Sequence, residues 1–267
     1  MTFARIAAFR LVTQQPDVLV AFYAALGFTI GDPRTIDDGE LAMLGIVGGG
    51  MRWSMWLGGA TVELDCYDLL GRPYPADANA ASICFQHLAL VTDDVDAAWS
   101  DARSAGATLI SEVGPVTLPE SSGGVTAVKF RDPEGHPLEL ISFPDAVEKG
   151  WHGSGMLGID HSAMVVSDLS ASQAFYTAHG LTCGDATLNQ GSEQMALDGL
   201  ENPVADVVPM EPAAAPPHVE LLHYHQPPGA SSKPVAVNDV AATRIVWHEG
   251  PPALLRDPDG HLHQTGG

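Results

Sequence analysis

The stretch LVTQQPDVLVAFYAALGFTIGD, residues 11–32, returns in altered form as VVSDLSASQAFYTAHGLTCGD, residues 165–185. Two more echoes follow in the same order: VELDCYD from Val62 returns as VELLHYH from Val219, and FRDPEGHPLEL from Phe130 returns as LRDPDGHLHQT from Leu255. Echoes repeated in one order indicate that the chain is a duplication. We assign the halves to residues 1–145 and 157–267, with the stretch from Pro144 to Leu157 as the linker.

Each half divides again into two units with the same order of elements. The predicted unit is a strand, a helix and three further strands, and the four units begin near residues 5, 85, 159 and 241. In the second unit, Val95, Ala98, Trp99 and Ala102 have the spacing of one buried helix face. The fourth unit is truncated, because TRIVW (243–247) is followed after only five residues by ALLRDPDG. Without a helix, the apolar face of its sheet must pack against a neighbouring unit or a second subunit.

The composition restricts the classes of partner. A net charge of −21, from 33 acidic and 12 basic residues, argues against nucleic acid or an anionic membrane as a partner. The three cysteines have no CxxC spacing, which is typical of a reducing compartment. No leader segment opens the sequence, and no apolar run approaches the ~18 residues of a membrane span. We therefore expect a cytoplasmic protein.

Three motifs carry a family resemblance: AFYAALG (21–27), GGVTAVKFRDPEGHPLEL (123–140) and GIDHSAMVVSD (158–168). Together they resemble the vicinal oxygen chelate superfamily, which includes glyoxalases, bleomycin-resistance proteins and extradiol dioxygenases. The resemblance implies an α+β fold in which four βαβββ modules form two open barrels, with the fourth module truncated. The modules would span about 1–75, 83–145, 157–228 and 233–267.

The resemblance also implies where a metal would bind. In this family each unit offers a His or Gln from its first strand and a Glu from its last strand. The matching pairs in this sequence are Ala8/Glu63, His87/Glu139, His161/Glu220 and Arg244/Gln264. Only the second and third units keep the pattern, so His87, Glu139, His161 and Glu220 are the expected ligands. Two imidazoles and two carboxylates suit a divalent Fe, Mn, Ni, Co or Zn ion.

Which units pair decides whether these four residues meet. Consecutive pairing, which the short linker favours, leaves at most a three-ligand site of Glu63, His87 and Glu139. Crossed pairing of the second unit with the third gathers all four ligands, and we favour it for that reason. The first and fourth units would then hold no metal, and Arg10 and Arg244 would contact an anion.

Other histidines near these motifs are assigned different roles. His136 and His261 belong to the DPxGH turns and are expected to be structural. Alternation along the strand places His218 on the face of Glu220, as the one further candidate ligand, and places His223 and His225 on the opposite face.

The favoured function is a metal-dependent enzyme of the glyoxalase or dioxygenase type, acting on a small molecule with vicinal oxygens as an isomerase, lyase or oxygenase. The ion would act as a Lewis acid and Glu139 or Glu220 as general base. Asn189, Gln194 and Arg244 are the expected substrate contacts, with Glu193 a weaker candidate. A homodimer is the further partner that the sequence leaves open.

Two alternatives remain at this stage. The first is a metal-free binding or antibiotic-resistance protein of the same fold, in which tryptophans stack on a planar ligand. The candidates for stacking are Trp53, Trp56, Trp99 and Trp247. The second is a scaffold protein that has lost its activity, which the truncated fourth unit would favour.

Overall fold

The computed structural model describes residues 2–230, 234–248 and 250–266. The predicted unit boundaries at residues 1, 233 and 267 lie outside the described residues. Within the described ranges no helix is long and apolar enough to cross a membrane.

The chain is a mixed α+β fold of many short strands and few helices. Its strands are β1 Ile6–Val12, β2 Thr29–Ile30, β3 Arg34–Thr35, β4 Gly50–Leu57, β5 Ala60–Tyr67, β6 Gln86–Thr92, β7 Thr108–Leu109, β8 Val116–Thr117, β9 Thr126–Arg131, β10 Pro137–Ser142, β11 Met156–Val165, β12 Thr182–Cys183, β13 Thr187–Gln190, β14 Val204–Glu211, β15 His218–Gln226, β16 Arg244–Trp247, β17 Ala253–Arg256 and β18 Leu262–Thr265. Its helices are α1 Pro16–Ala25, α2 Asp38–Leu44, α3 Val95–Ser104, α4 Leu169–Ala178 and α5 Ser192–Asp198, with a 3-10 turn at Glu120–Ser122.

The strands form two sheets, and each sheet combines one predicted unit from the first half of the sequence with one from the second half. The first sheet has the order β17-β18-β16-β1-β5-β4-β2, with β3 against β4. The second has the order β12-β14-β15-β11-β6-β10-β9-β7, with β13 against β14 and β8 against β9. Antiparallel pairs join the units, β1 with β16 and β6 with β11. The arrangement is therefore crossed.

The short linker is compatible with this crossed arrangement, although we expected it to favour consecutive pairing. Strand β10 runs parallel to β6, so both end on the same side of the sheet. Strand β11 is antiparallel to β6 and begins at that side, where Met156 is opposite Thr92. The linker therefore crosses only two strand spacings, about 10 Å.

The repeated helices lie where the sequence predicts them. The buried residues of α3 are Val95, Ala98, Trp99 and Ala102, as their spacing indicates. Asp94 caps α3 by accepting the amide of Ala97, and such a cap satisfies one of the free N–H groups of the first turn.

The strands of the predicted fourth unit pack against residues from other parts of the same chain. The ring of Phe3 is fully buried and stacks on Trp247 with ring centroids 4.3 Å apart. The Tyr176 hydroxyl of α4 lies 3.1 Å from both Asp257 and His263. Residues of the first and third units thus replace the missing helix.

The two DPxGH turns join the sheets. His136 contacts Asp132 at 2.8 Å through Nδ1 and the carbonyl oxygen of Val12, on β1 of the other sheet, at 3.0 Å through Nε2. His261 makes the equivalent contact with the Val165 carbonyl, on β11, at 2.9 Å. The expected structural role of both histidines is confirmed by these bonds.

Candidate functional site

The four predicted ligands come from four neighbouring strands of the second sheet: His87 from β6, Glu139 from β10, His161 from β11 and Glu220 from β15. Glu139 and His161 lie in register on either side of Ala89. His87 and Glu220 lie in register on either side of Ala163. Residues in register share a face, as do residues two apart on one strand, so all four side chains project to one side. The alanines leave the centre open.

Distances among three of these side chains, His87, Glu139 and His161, fit one shared ion, because their potential ligand atoms lie within 4.8 Å of one another. Glu220 falls outside that group and contacts it through His161. Nε2 of His87 lies 3.2 Å from Oε2 of Glu139. Nε2 of His161 lies 3.6 Å from that oxygen and 3.4 Å from Oε2 of Glu220. Two ligand atoms bound at right angles to a transition metal are about 3 Å apart, because each bond is about 2.1 Å long. The spacing of His87, Glu139 and His161 therefore suits a divalent metal, with Glu220 beside His161 as the fourth predicted ligand.

Several buried nitrogens at the centre lack hydrogen bonds. Both ring nitrogens of His87 and Nε2 of His161 have no hydrogen-bond partner within the described part of the chain. Buried polar atoms normally have one, so these nitrogens are available to a ligand. Nδ1 of His161 contacts Asp160 at 2.9 Å, which holds the proton on Nδ1 and leaves Nε2 as the atom facing the carboxylates.

The electrostatics favour ionised carboxylates. Burial would raise the pKa of Glu139, but its contacts with His161 and His87 hold that pKa well below the usual range. Burial acts in the same direction on Glu220, and the charges of His161 and His218 bring its pKa to about 2. Burial lowers the pKa of His87. Burial acts in the same direction on His161, but the charge of Glu220 and the contacts with Asp160 and Glu139 hold its pKa well above the usual range, so a metal would displace the proton of Nε2. Deprotonated carboxylates and a neutral imidazole are the forms that bind a metal.

The other histidines of β15 divide as alternation predicts. Nε2 of His218 lies 3.5 Å from Oε1 of Glu220, and Asp160, His161 and His218 form a second group whose potential ligand atoms lie within 4.8 Å of one another. His223 contacts the Val166 carbonyl and His225 contacts Asp206, away from the site.

A cavity of about 560 Å³ opens over the four residues. Asn189 and Gln194, expected to contact substrate, both line it, whereas Glu193 and Arg244 do not. Gln194 donates to Asp198 at 2.8 Å, so its amide is partly engaged within the protein. None of the four candidate stacking tryptophans lines this cavity. Trp99 and Trp247 are buried in the hydrophobic core, Trp53 packs against that core, and Trp56 is exposed on the surface.

One cavity residue was missed at the sequence level. Lys129 of β9 lies opposite Glu139 in the register, is 4% exposed and lines the cavity. Its Nζ lies 2.7 Å from Oδ1 of Asp198, at the end of α5. A lysine between the apolar residues Val128 and Phe130 was the available signal, since lysine is seldom buried unless paired.

The corresponding positions of the first sheet hold an internal cation. Arg10 stands where the second sheet has Ala89, between Glu63 and Arg244 in the register. Its Nε donates to Glu63 and its Nη1 to Glu40, both at 2.6 Å.

Two further arginines, Arg52 and Arg244, are fully buried and both bind Asp65. Gln264 donates to Glu40 at 3.0 Å. The sequence predicts an anion contact for Arg10 and Arg244. The structure pairs both with carboxylates of the protein itself.

Comparisons with known proteins agree with this architecture. A sequence model of the Glyoxalase/Bleomycin resistance protein/Dioxygenase superfamily matches residues 5–140, just over half of the chain. The crystal structure of glyoxalase I from Zea mays is similar with a TM-score of 0.61 at 15% identity, covering 98% of this chain and 91% of that chain. A protein from Bacillus subtilis subsp. subtilis str. 168, described as a candidate dioxygenase, is similar with a TM-score of 0.59 at 10% identity, covering 99% and 85%. No curated protein matches. At these identities the structural likeness establishes the fold.

Proposed function

The chain belongs to the glyoxalase/bleomycin resistance protein/dioxygenase superfamily, and we propose that it is a metal-dependent enzyme that chelates a small molecule through two vicinal oxygens. The reaction class is isomerase, lyase or oxygenase. The observation that carries the proposal is a set of buried ring nitrogens, both of His87 and Nε2 of His161, that have no hydrogen-bond partner among the described residues and surround the carboxylate of Glu139.

Charge supports the same conclusion. Glu139 and Glu220 are both ionised at neutral pH, and Asp160 adds a third carboxylate at the same wall of the cavity. Carboxylates this close repel one another unless a cation lies between them. In the first sheet Arg10 supplies that cation, whereas Ala89 is at the corresponding position of the second sheet, where positive charge comes from Lys129 beside Glu139 and from the imidazole of His161. A bound divalent ion would replace the proton on Nε2 of His161 and bring two positive charges among these carboxylates.

His87, Glu139, His161 and Glu220 would hold the ion, which supplies Lewis acidity toward a chelated pair of oxygens. Asp160 orients His161 so that Nε2 faces the cavity. Glu139 or Glu220 would accept a proton from the substrate as general base, because both are ionised and open onto the cavity. Asn189, on β13, and Gln194, on α5, would contact the substrate.

The test is a count of metal per chain. Protein stripped with a chelator is loaded in turn with Co(II), Ni(II), Zn(II), Mn(II) or Fe(II), freed of excess and measured by elemental analysis. We expect one ion per wild-type chain, and loss of that ion in His87→Ala and His161→Ala. His223→Ala is the matched control, because it removes a histidine from the opposite face of β15.

Wild-type protein that retains no metal would instead favour the metal-free binding protein. Variants that retain as much metal as wild type would show that the ion binds elsewhere and would contradict the proposed ligands. Cytoplasmic location, a homodimer and the division into duplicated halves 1–145 and 157–267 accompany this proposal as predictions.

A further inference from the structure

The cavity contains a disproportionate share of the lysines. The sequence has three, Lys129, Lys149 and Lys233, against 33 acidic residues. Lys129 and Lys149 both line the cavity over the proposed metal site. Lys149 is at the rim, with about half of its side chain exposed, whereas Lys129 is buried in the wall beside Glu139.

The ammonium group of Lys129 is held in place by a network of buried groups. Asp198 is 1% exposed and accepts from Lys129 through Oδ1 at 2.7 Å. Its other oxygen accepts from Gln194 at 2.8 Å and from the Tyr224 hydroxyl at 2.9 Å. Both oxygens of Asp198 are therefore engaged, and the carboxylate cannot turn away from the lysine.

The backbone is shaped to bring α5 to this place. Gly199 ends α5 with a φ of +60°, and a Cβ there would come within 2.2 Å of the carbonyl oxygen of Ile110. Ser111 then accepts the amide of Lys129 and donates to the carbonyl of Leu197, which ties β9 to the end of α5. Only glycine allows this approach.

The arrangement is asymmetric in a way that metal binding alone does not require. The third unit repeats the second, and the residue opposite Glu220 in the register is Pro209, where the residue opposite Glu139 is Lys129. An ammonium carries three N–H donors, and one hydrogen bond of the Lys129 ammonium, to Asp198, is identified in the structure. A donor is thus left for a ligand in the cavity.

We propose that Lys129 binds a carboxylate oxygen of the substrate, so that the substrate class is 2-oxo or 2-hydroxy acids. One carboxylate oxygen and the neighbouring oxygen would be the chelated pair, and the second carboxylate oxygen would accept from Lys129. Fixed charge of this kind binds more strongly in a buried wall than in water. This inference rests on the proposed metal site, since the ion offsets the charge of Glu139 and Glu220.

The test uses two probes of the same shape, oxamate and oxamide. Both offer two vicinal oxygens, and only oxamate has a carboxylate. Their dissociation constants are measured on Co(II)-loaded protein by calorimetry and by the visible absorption of the cobalt. We expect wild type to prefer oxamate, and Lys129→Met to weaken oxamate by about ten-fold or more while changing oxamide little.

Two further variants keep the result interpretable. Lys129→Met/Asp198→Asn removes both charges and avoids an unpaired buried carboxylate, so it serves if the single variant folds poorly. Lys149→Met makes the same charge change at the rim and should leave the preference for oxamate intact.

Each outcome decides one claim. Cobalt-loaded Lys129 variants that bind oxamate as tightly as wild type would overturn the carboxylate contact and leave the metal site standing. An equal loss in Lys149→Met would show a general charge effect and would also overturn it. Wild-type protein that takes up none of the five metals would overturn the proposed function and the carboxylate contact together.

Discussion

Arg10 offers a direct test of the idea that the first sheet replaces a metal with an internal cation. The substitution Arg10→Met keeps the apolar stem of the side chain and removes the guanidinium. Glu63 and Glu40 would each lose a partner at 2.6 Å. Arg34 is the matched control, because it also binds Glu63, at 3.2 Å, but has 51% of its side chain exposed.

The two variants should differ widely in stability. Removing one partner of a buried ion pair costs about 3–5 kcal/mol when the remaining charge is left uncompensated, and because Arg52 still binds Glu40 we expect about 3 kcal/mol for Arg10→Met. Removing an exposed partner costs about 0–1 kcal/mol. In a chain of this size each kcal/mol lowers Tm by roughly 2–4 °C. We therefore expect Arg10→Met to melt roughly 10 °C below wild type, and Arg34→Met within about 3 °C of it.

Thermal unfolding followed by circular dichroism, in buffer containing a chelator, measures both values. Metal content measured well below the transition gives the second readout. Arg10→Met should still bind one ion per chain, because the metal ligands lie in the other sheet. Equal melting temperatures for the two variants would refute the internal-cation account, and loss of metal in Arg10→Met would refute the independence of the two centres.

Three other predictions follow from described contacts. Arg52 and Arg10 outweigh the effect of burial and lower the pKa of Glu40 from 4.5 to about 2. Glu40 therefore stabilises the fold above its unfolded pKa, and this stabilisation is lost as the pH falls toward 2. The free energy of unfolding, measured in urea across this range, should depend less on pH in Glu40→Gln, and an unchanged pH dependence would contradict this. Asp132→Ala should cost more than Tyr23→Phe in urea unfolding, about 1–3 against 0.5–1.5 kcal/mol, because three backbone amides also donate to Asp132. Asn189→Ala should weaken oxamate by a few-fold while metal content stays at one per chain, and loss of metal would contradict its assignment to the substrate.

The repeats made much of the fold predictable. Repeated motifs predict the helices α1, α3 and α4, which the structure contains, because each motif repeats one pattern of buried and exposed residues. Pairing of the units was harder to predict, since contacts such as that of β6 with β11 join residues far apart in sequence. The direction of these strands explains why a short linker is enough.

The short helices were missed for a different reason. Helices α2 and α5 have seven residues each, too few for a repeated apolar stripe. The available signals were local: Asp37 caps α2, and Gly45 and Gly199 end the two helices in the left-handed region. Missing α5 also meant missing the partner of Lys129.

Family resemblance and alternation identified the four residues that the second sheet brings together. Neither could predict that Arg244 is fully buried and binds Asp65 instead of a substrate. Its charge looks the same in the sequence whether it contacts a substrate or another part of the protein. Only the packing of Arg10, Arg52 and Asp65 around it separates the two roles.

Anomalous X-ray diffraction from crystals of the cobalt-loaded protein tests the central claim most directly. Data collected above and below the cobalt absorption edge locate the ion without reference to activity. The account predicts one peak, bonded to Nε2 of His161, to His87 and to the carboxylates of Glu139 and Glu220. A fully loaded crystal with its peak elsewhere, for example between Asp160 and His218 alone, or with no peak in the second sheet, would contradict it.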